Sequence, residues 1–175
     1  MFGFFKVNED LFFEELLKDD MDIDKIEKYI NKGVNINKKD EKGQTILFSL
    51  VAKRKLEALK ILIKNGANLT LEDLHRKTIL DEAVDRNDGI MIRFLLDNGF
   101  NINHKNNSGR TIFQNVDHMG NNKIFQIFMK YNADFNIKDS HGKTVLFDAV
   151  EGGNLDILKD VINNTNNLNI LDENH

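Results

Sequence analysis

Asp81, Glu82 and Asp85 are the residues whose types and spacing come nearest to a catalytic pair. Asp81 and Asp85 lie four residues apart, which on a helix places both carboxylates on one face. Two neighbouring carboxylates can act as general acid and general base. A charged helix face in contact with water explains the three residues more simply, and we prefer that interpretation.

Ser49 is the serine that the helical pattern places on an inner face. A serine nucleophile needs a base, commonly a histidine that a carboxylate orients, within hydrogen-bond reach. Nothing in the sequence places such a pair beside Ser49, and no glycine pattern typical of phosphate or dinucleotide binding occurs. We therefore predict no enzyme activity and no cofactor.

The elements that carry these residues recur with a fixed period. Threonine occurs every 33 residues, at Thr45, Thr78, Thr111 and Thr144. The same period holds for the helix-ending positions Gly33, Gly66, Gly99 and Asn132, and for the apolar positions Ile36, Leu69, Ile102, Phe135 and Leu168. A fixed period of this length predicts a stacked repeat array rather than one globular core.

One repeat, residues 40–71, contains a turn, two short helices and an extended return. Gly43 lies in a polar stretch and suits a tight turn with positive φ. Thr45 follows, and its hydroxyl is expected to cap the first helix. Apolar residues then recur at helical spacing, at Ile46, Leu47, Leu50, Val51, Leu56, Leu59, Ile61, Leu62 and Ile63. Gly66 is placed to end the second helix in the left-handed conformation.

These residues resemble the ankyrin repeat. The matching stretches are Asp40-Glu41-Lys42-Gly43-Gln44-Thr45-Ile46-Leu47, Leu59 with Leu62, Gly66-Ala67-Asn68-Leu69, and Asp139-Ser140-His141-Gly142-Lys143-Thr144-Val145-Leu146. The resemblance covers residues 10–170. It implies an all-α fold, an ankyrin-type repeat solenoid of stacked helix–turn–helix units with projecting turns or short hairpins.

The chain departs from the ankyrin pattern at several positions. Isoleucine or valine replaces the family's proline, and its histidine is replaced by Phe48, Asp81, Gln114 and Phe147. The hydrogen bonds that this histidine makes between repeats are therefore left open. Arg76 replaces a turn glycine, at a cost of roughly 1 kcal/mol in the left-handed conformation. Asp117 marks the most degenerate repeat and is either a locally adapted site or an exposed edge.

We expect one ankyrin-repeat domain over residues 1–175. Its expected parts are an N-terminal capping repeat 1–38, full repeats 39–71, 72–104 and 105–137, and a C-terminal capping repeat 138–175. Lys25, Lys28 and Asp160 place charge where inner repeats have apolar residues, as capping repeats do. We therefore expect five helix pairs that form a complete array.

Composition bounds the location and the class of partner. The net charge of -4 and the absence of cysteine argue against a generic polyanion binder and against a disulfide framework. The opening residues, MFGFFK, are too short for a signal peptide or a membrane helix, and we interpret them as a lid on the first repeat. We expect a cytoplasmic protein, monomeric when alone, with no membrane partner.

The histidines do not predict a metal site. His75 and His141 hold the same turn position two repeats apart. Because packed helices are spaced about 8–10 Å, the two lie roughly 20 Å from each other. His104 and His118 also lack the spacing of metal ligands. We therefore expect exposed turn histidines and no metal.

A partner surface can be transferred from the resemblance by position. In ankyrin-like proteins the turn tips and the exposed face of each first helix line a concave groove. The corresponding partner-binding residues here are Lys39, Glu41, Lys42, Lys53, Glu72, Leu74, His75, Lys77, Asp85, Arg86, Lys105, Asn107, Arg110, His118, Met119, Lys138, Ser140, His141, Lys143, Asp148 and Glu151. These positions vary between repeats whereas the core positions stay apolar. Leu74 and Met119 are apolar where solvent is expected, so each is either an interface anchor or an ordinary surface residue.

The leading hypothesis is a non-catalytic scaffold that binds another protein in this groove. One alternative is an inhibitor or immunity-type protein that neutralises a partner enzyme or toxin. A second alternative is a host-directed effector, which would be secreted. Nucleic-acid binding through basic turn residues such as Lys105 and Arg110 is the least favoured, because such surfaces usually have denser basic residues and stacking aromatics.

Overall fold

The computed structural model describes residues 8–106, 109–116, 122–153 and 155–164. Within these ranges the chain forms ten helices and no strand, which confirms the predicted all-α class and the five helix pairs. In the described part of the chain, an antiparallel bridge joins Lys105 to Thr111 at the base of one turn. The expected N-terminal lid and Asp117 lie outside the described residues.

The helices are short and follow one another in pairs. They are α1 Glu9–Leu17, α2 Ile23–Asn31, α3 Ile46–Ala52, α4 Leu56–Lys64, α5 Ile79–Asp85, α6 Gly89–Asp97, α7 Ile112–Val116, α8 Asn122–Lys130, α9 Val145–Gly152 and α10 Leu155–Asn164. The chain forms two compact units, an N-terminal unit up to Glu82 and a C-terminal unit from Ala83.

In the N-terminal unit, α1 packs against α2 and α3, and α3 packs against α4. The apolar residues at helical spacing form the buried faces, with Phe12, Leu16, Ile26, Leu47, Leu50, Leu59 and Leu62 fully enclosed. Helices of two to three turns are marginal alone in water, so this packing between repeats supplies most of their stability.

In the C-terminal unit, α6, α8 and α10 form one row of contacting helices, and α7 packs against α8 and α9. Phe113 is the centre of an aromatic cluster in this unit. Its ring centroid lies 4.8 Å from that of Phe125 and 4.9 Å from that of Phe135. The repeat that looks most degenerate in sequence therefore has a well-packed aromatic core.

Four described non-glycine residues have positive φ, namely Arg54, Arg76, Asn87 and Asn132, and each holds a position where another repeat has glycine. The equivalent turn residues Gly43, Arg76, Gly109 and Gly142 have φ of 75°, 63°, 74° and 74°. Arg76 therefore adopts the left-handed conformation expected from its position. Asn132 does the same at a helix end, with φ of 56° where Gly66 has 85°. Asparagine tolerates this region better than most residues, so the helix ends as its glycine counterparts do.

The expectation that Thr45 caps its helix through its hydroxyl is wrong. Neither Thr45 nor Thr144 makes a side-chain cap bond, and both hydroxyls are buried without a hydrogen-bond partner. Thr78 differs, because its amide and hydroxyl donate to Asp81 Oδ2 at 2.8 and 2.7 Å.

The residue three positions after the threonine explains the difference. Thr111 is bonded like Thr78, since its amide donates to Gln114 Oε1 at 2.9 Å. Asp81 and Gln114 therefore close a capping box with the preceding threonine. Phe48 and Phe147 hold the same position after Thr45 and Thr144, and a phenyl ring cannot accept a bond of this kind. The substitution of the family's histidine thus decides whether each threonine caps.

The first repeat contains a buried carboxylate instead of an all-apolar face. Glu15 is 3% exposed, and its Oε2 lies 2.6 Å from Lys25 Nζ and 2.9 Å from Lys18 Nζ. The Asp22 amide donates to the other oxygen at 3.1 Å. Hydrogen bonds from Lys25, Lys18 and the Asp22 amide lower the pKa of Glu15 to about 2. Lys25, which we expected to be a capping charge, is thus paired rather than free in solvent.

Substituting the threonines should separate capping from non-capping hydroxyls. Thr78→Val removes a capping bond and should cost about 1–2 kcal/mol of unfolding free energy. Thr45→Val removes a buried hydroxyl that has no partner, so it should be neutral or stabilise the protein by up to about 1 kcal/mol. Urea denaturation followed by circular dichroism measures both. Equal losses for the two variants would show that the Thr45 hydroxyl also caps.

Stability should depend on pH through Glu15. Because its folded pKa is about 2 and its ordinary value is 4.5, its contribution is complete above pH 4.5 and is lost as pH falls towards 2. The difference in thermal midpoint between wild type and Glu15→Gln should therefore be largest at neutral pH and shrink below pH 4.5. Glu14→Gln, on the exposed side of the same helix, is the control. A difference that stays constant from pH 7 to pH 2.5 contradicts the prediction.

Candidate functional site

Each turn begins with a side chain that shapes it. Asp40, Asp73, Asn106 and Asp139 lie 33 residues apart. Asp40 Oδ1 accepts from the amides of Lys42 and Gln44 at 2.8 and 2.9 Å. The turns that start at Asp73 and Asp139 repeat these two bonds at 2.8 and 3.0 Å, and Asn106 accepts from Arg110 at 3.1 Å. An aspartate or asparagine bonded to its own loop in this way holds a tight turn.

The first two turns are fastened to each other inside the N-terminal unit. Gln44 Nε2 donates to Asp73 Oδ2 at 3.2 Å, and the Leu74 amide donates to the Lys42 carbonyl at 3.0 Å. Burial raises the pKa of Asp73, but bonds from the Lys77 amide, Gln44 and the His75 amide lower it by more. The pKa of Asp73 therefore lies below its ordinary value, and the carboxylate stays charged in the turn.

A lysine also braces the following turn in each unit. Lys39 Nζ donates to the Glu72 carbonyl at 2.7 Å, and Lys105 Nζ donates to the Lys138 carbonyl at 2.9 Å. Both lysines were expected to contact a partner. Each remains exposed but is already bonded to the backbone of the next repeat.

The exposed residues of the N-terminal unit form a tip surface on this fastened backbone. We define the tip surface as the turn residues Glu41, Lys42, Leu74, His75 and Lys77, all of which are exposed. Leu74 is 72% exposed, the largest value among the exposed large apolar side chains in the described ranges. Lys53 is exposed at the end of α3, and Glu72 is half-buried before the second turn.

Beside the first turn lies a cavity of about 730 Å³. It is lined by Asp10, Phe13, Lys38, Lys39, Asp40, Glu41, Gln44, Thr45, Ile46 and Ser49. Two of the predicted partner-binding residues, Lys39 and Glu41, are in this lining. Ser49 is exposed here, so it has access to the cavity rather than to a catalytic histidine and carboxylate. The size of the cavity is within the range of small-ligand sites.

In the C-terminal unit, most predicted partner residues are exposed. They are Asp85, Arg86, Lys105, Lys138, Ser140, His141 and Glu151. Lys143 is half-buried and its Nζ lies 2.9 Å from Glu151 Oε1. Asn107, His118 and Met119 lie outside the described residues.

The expectation that Asp148 is an exposed contact residue is wrong. Its side chain is 1% exposed, and its Oδ1 lies 2.8 Å from Arg110 Nη2. The same guanidinium donates to the Gln114 carbonyl at 2.9 Å and approaches Asp139 Oδ2 at 3.5 Å. Arg110, at 24% exposure, is therefore committed to two buried carboxylates. We predicted Arg110 as a partner contact, but its guanidinium is paired with acids inside the unit.

The candidate carboxylate pair and the open histidine position both have structural roles. Asp81 closes the cap of α5 with Thr78 rather than facing a substrate. Gln114 Nε2 donates to the Lys143 carbonyl at 3.0 Å, so at this repeat the glutamine makes a hydrogen bond to the next repeat. Among the described residues there is no group of three or more histidines, cysteines or acids that could hold a metal ion. Within the same ranges, no helix is long and apolar enough to cross a membrane.

Comparison with known families agrees with this geometry. A family model described as ankyrin repeats (3 copies) matches residues 16–106 and, in a second match, residues 90–172. The chain therefore belongs to the ankyrin repeat family, as its sequence predicted. Ankyrin repeats generally mediate protein–protein interaction, and proteins built from them are typically non-catalytic scaffolds. No curated protein matches the chain.

Two features of the site were missed by the sequence reasoning. The period of Asp40, Asp73, Asn106 and Asp139 is visible in the sequence, and it would have identified the residues that shape the turns. The cavity was not visible, because it needs α1 and the first turn to be brought together in space. Its apolar residues look like ordinary core positions of their helices.

Removing the guanidinium at position 110 should destabilise the C-terminal unit. Arg110→Met removes the cation beside the buried Asp139 and Asp148 carboxylates, which should cost about 3 kcal/mol. Lys60→Gln, which breaks the exposed pair with Glu57, is the control and should cost at most about 0.5 kcal/mol. Urea denaturation of the two variants measures the difference. A loss for Arg110→Met as small as that of the control would mean that the guanidinium does not support the unit.

Proposed function

We propose that the chain is a non-catalytic scaffold that binds another protein through the tip surface of its N-terminal unit and the adjoining face of α3. The observation that supports this most directly is the exposure of Leu74, at 72%, on a turn whose backbone is fastened to its neighbour. An apolar side chain held on a rigid backbone loses little conformational entropy on binding, which favours an interface anchor.

The residues around Leu74 suit a protein surface of mixed charge. His75, Lys42 and Lys77 add basic or neutral donors beside it, and Glu41 adds a carboxylate. A polar, charged rim around an apolar anchor is the usual arrangement of a protein interface. Charges of both signs at the rim mainly set the encounter rate and the choice of partner.

The contacts of the basic residues weigh against nucleic acid as the partner. Arg110 is paired with two buried carboxylates, and Lys105 donates to the backbone of the next turn. Binding to a nucleic-acid backbone needs Lys and Arg side chains that are available to contact phosphates. Lys105 and Arg110, the two residues that we considered for phosphate binding, already make bonds within the C-terminal unit.

The proposal is tested with a matched pair of leucines. Leu74→Asp and Leu155→Asp each place a carboxylate at an apolar side chain that is about equally exposed, 72% and 68%. The tagged wild-type chain and both variants would be used to capture proteins from native lysate, with circular dichroism as the check on folding. We expect a protein that wild type and Leu155→Asp retain and Leu74→Asp loses, with affinity reduced at least tenfold.

Two results would contradict the proposal. Retention of the same proteins by all three chains would remove the tip surface from the interface. Capture that depends on nucleic acid, and is lost after nuclease treatment or in moderate salt, would assign the chain to a different class of binder.

A further inference from the structure

The cavity beside the first turn corresponds by repeat position to the place that Arg110 occupies in the C-terminal unit. Asp40, Thr45 and Ser49 line the cavity, and they lie three periods before Asp139, Thr144 and Asp148. In the C-terminal unit, the guanidinium of Arg110 lies against Asp139 and Asp148. The residue three periods before Arg110 is Leu11, which has no polar group to place there.

Asp40 therefore lacks a donor that Asp73 and Asp139 have. Asp73 Oδ2 accepts a hydrogen bond from Gln44, and Asp139 Oδ2 accepts one from Arg110. In both cases the donor is the last residue of the preceding turn. The residue one period before Gln44 is Leu11, whose side chain cannot donate. Asp40 uses Oδ1 for its own turn, so a ligand that donates to Oδ2 would complete the bonding seen at the other turns.

The charges in the cavity wall favour a cation. Its two lysines are engaged elsewhere, because Lys38 pairs with Glu9 and Lys39 donates to the Glu72 carbonyl at 2.7 Å. Three carboxylates, those of Asp10, Asp40 and Glu41, lie in the same wall and are exposed. Its three carboxylates outnumber its two ammonium groups, and Lys38 is already paired with Glu9, so the wall carries a small excess of negative charge.

The remaining wall suits the aliphatic part of a long side chain. Phe13 and Ile46 are half-buried and line the cavity. An arginine can place its methylene groups against such residues while its planar guanidinium reaches the carboxylates. Within the chain, the Arg110 guanidinium reaches Asp139, the counterpart of Asp40, and Asp148, whose counterpart in the cavity is Ser49.

We infer that this cavity binds an arginine side chain of the protein partner, with the guanidinium donating to Asp40 and the neighbouring acids and the stem lying against Phe13 and Ile46. The inference rests on the proposed function, because the arginine is carried by the partner. It adds one specific contact, an arginine of the partner, to the proposed interface and places it next to the tip surface.

The test uses a minimal probe on the full chain. N-acetyl-arginine methylamide would be titrated into the ¹⁵N-labelled protein, and N-acetyl-citrulline methylamide, its neutral isostere, would be the matched ligand control. We expect a low-millimolar dissociation constant for the arginine probe, shifts centred on residues 38–49, and roughly tenfold weaker binding of citrulline. Shifts that lie elsewhere, or equal binding of the two probes, would overturn the inference.

Substitutions sharpen the test without unfolding the turn. Asn106 shows that asparagine can head such a turn, so Asp40→Asn should keep the fold and weaken the arginine probe at least fivefold. Asp24→Asn, an exposed acid on α2, is the charge control and should leave binding unchanged. Unchanged binding by Asp40→Asn would overturn the inference.

The two proposals fail in different ways. A protein captured through Leu74 and retained in full by Asp40→Asn would overturn the arginine contact and leave the scaffold function standing. Self-association of the wild-type chain that Asp40→Asn abolishes would assign the cavity to a second copy and overturn the inference as well. Binding of the arginine probe at the cavity, with no protein captured through Leu74, would support the cavity and count against the tip surface.

Discussion

The side chain at the start of each turn makes the hydrogen bonds that hold the turn and its exposed residues in place. Asp40, Asp73, Asn106 and Asp139 fold their own turns, and within a unit the next acid is bonded by the turn before it. Exposed residues on these turns are therefore held by backbone that is fixed at both ends. Without these bonds, side chains such as Leu74 would be on loops that lose entropy on binding.

The period of the sequence predicted the fold because a repeat array is built from contacts between neighbours. Thirty-three residues contain one helix pair, and its apolar face can be buried only against the next copy, so the pattern determines the architecture. Pattern alone did not determine which polar groups would be satisfied. Thr45 and Thr78 look alike in the sequence, yet the identity of Phe48 or Asp81 decides whether the threonine hydroxyl is bonded.

The candidate site was predictable in part for the same reason. Transfer by position correctly placed Leu74, His75 and most of the lysines on the exposed turns. It misplaced Asp148, because burial there depends on Arg110, a residue 38 positions away whose guanidinium neutralises the carboxylate. An ion pair between residues far apart in sequence leaves no mark on a local sequence pattern. A turn residue can be recognised from its neighbours.

The buried hydroxyl of Thr144 makes no hydrogen bond and therefore lowers the stability of the C-terminal unit. The Thr144 side chain is fully buried, so a change there would alter the folding free energy without altering the exposed surface. Differences of one or two kcal/mol change the fraction of unfolded protein in a cell, and with it the amount that escapes degradation. A change at Thr144 would therefore alter the abundance of the protein while leaving the exposed turn residues as they are.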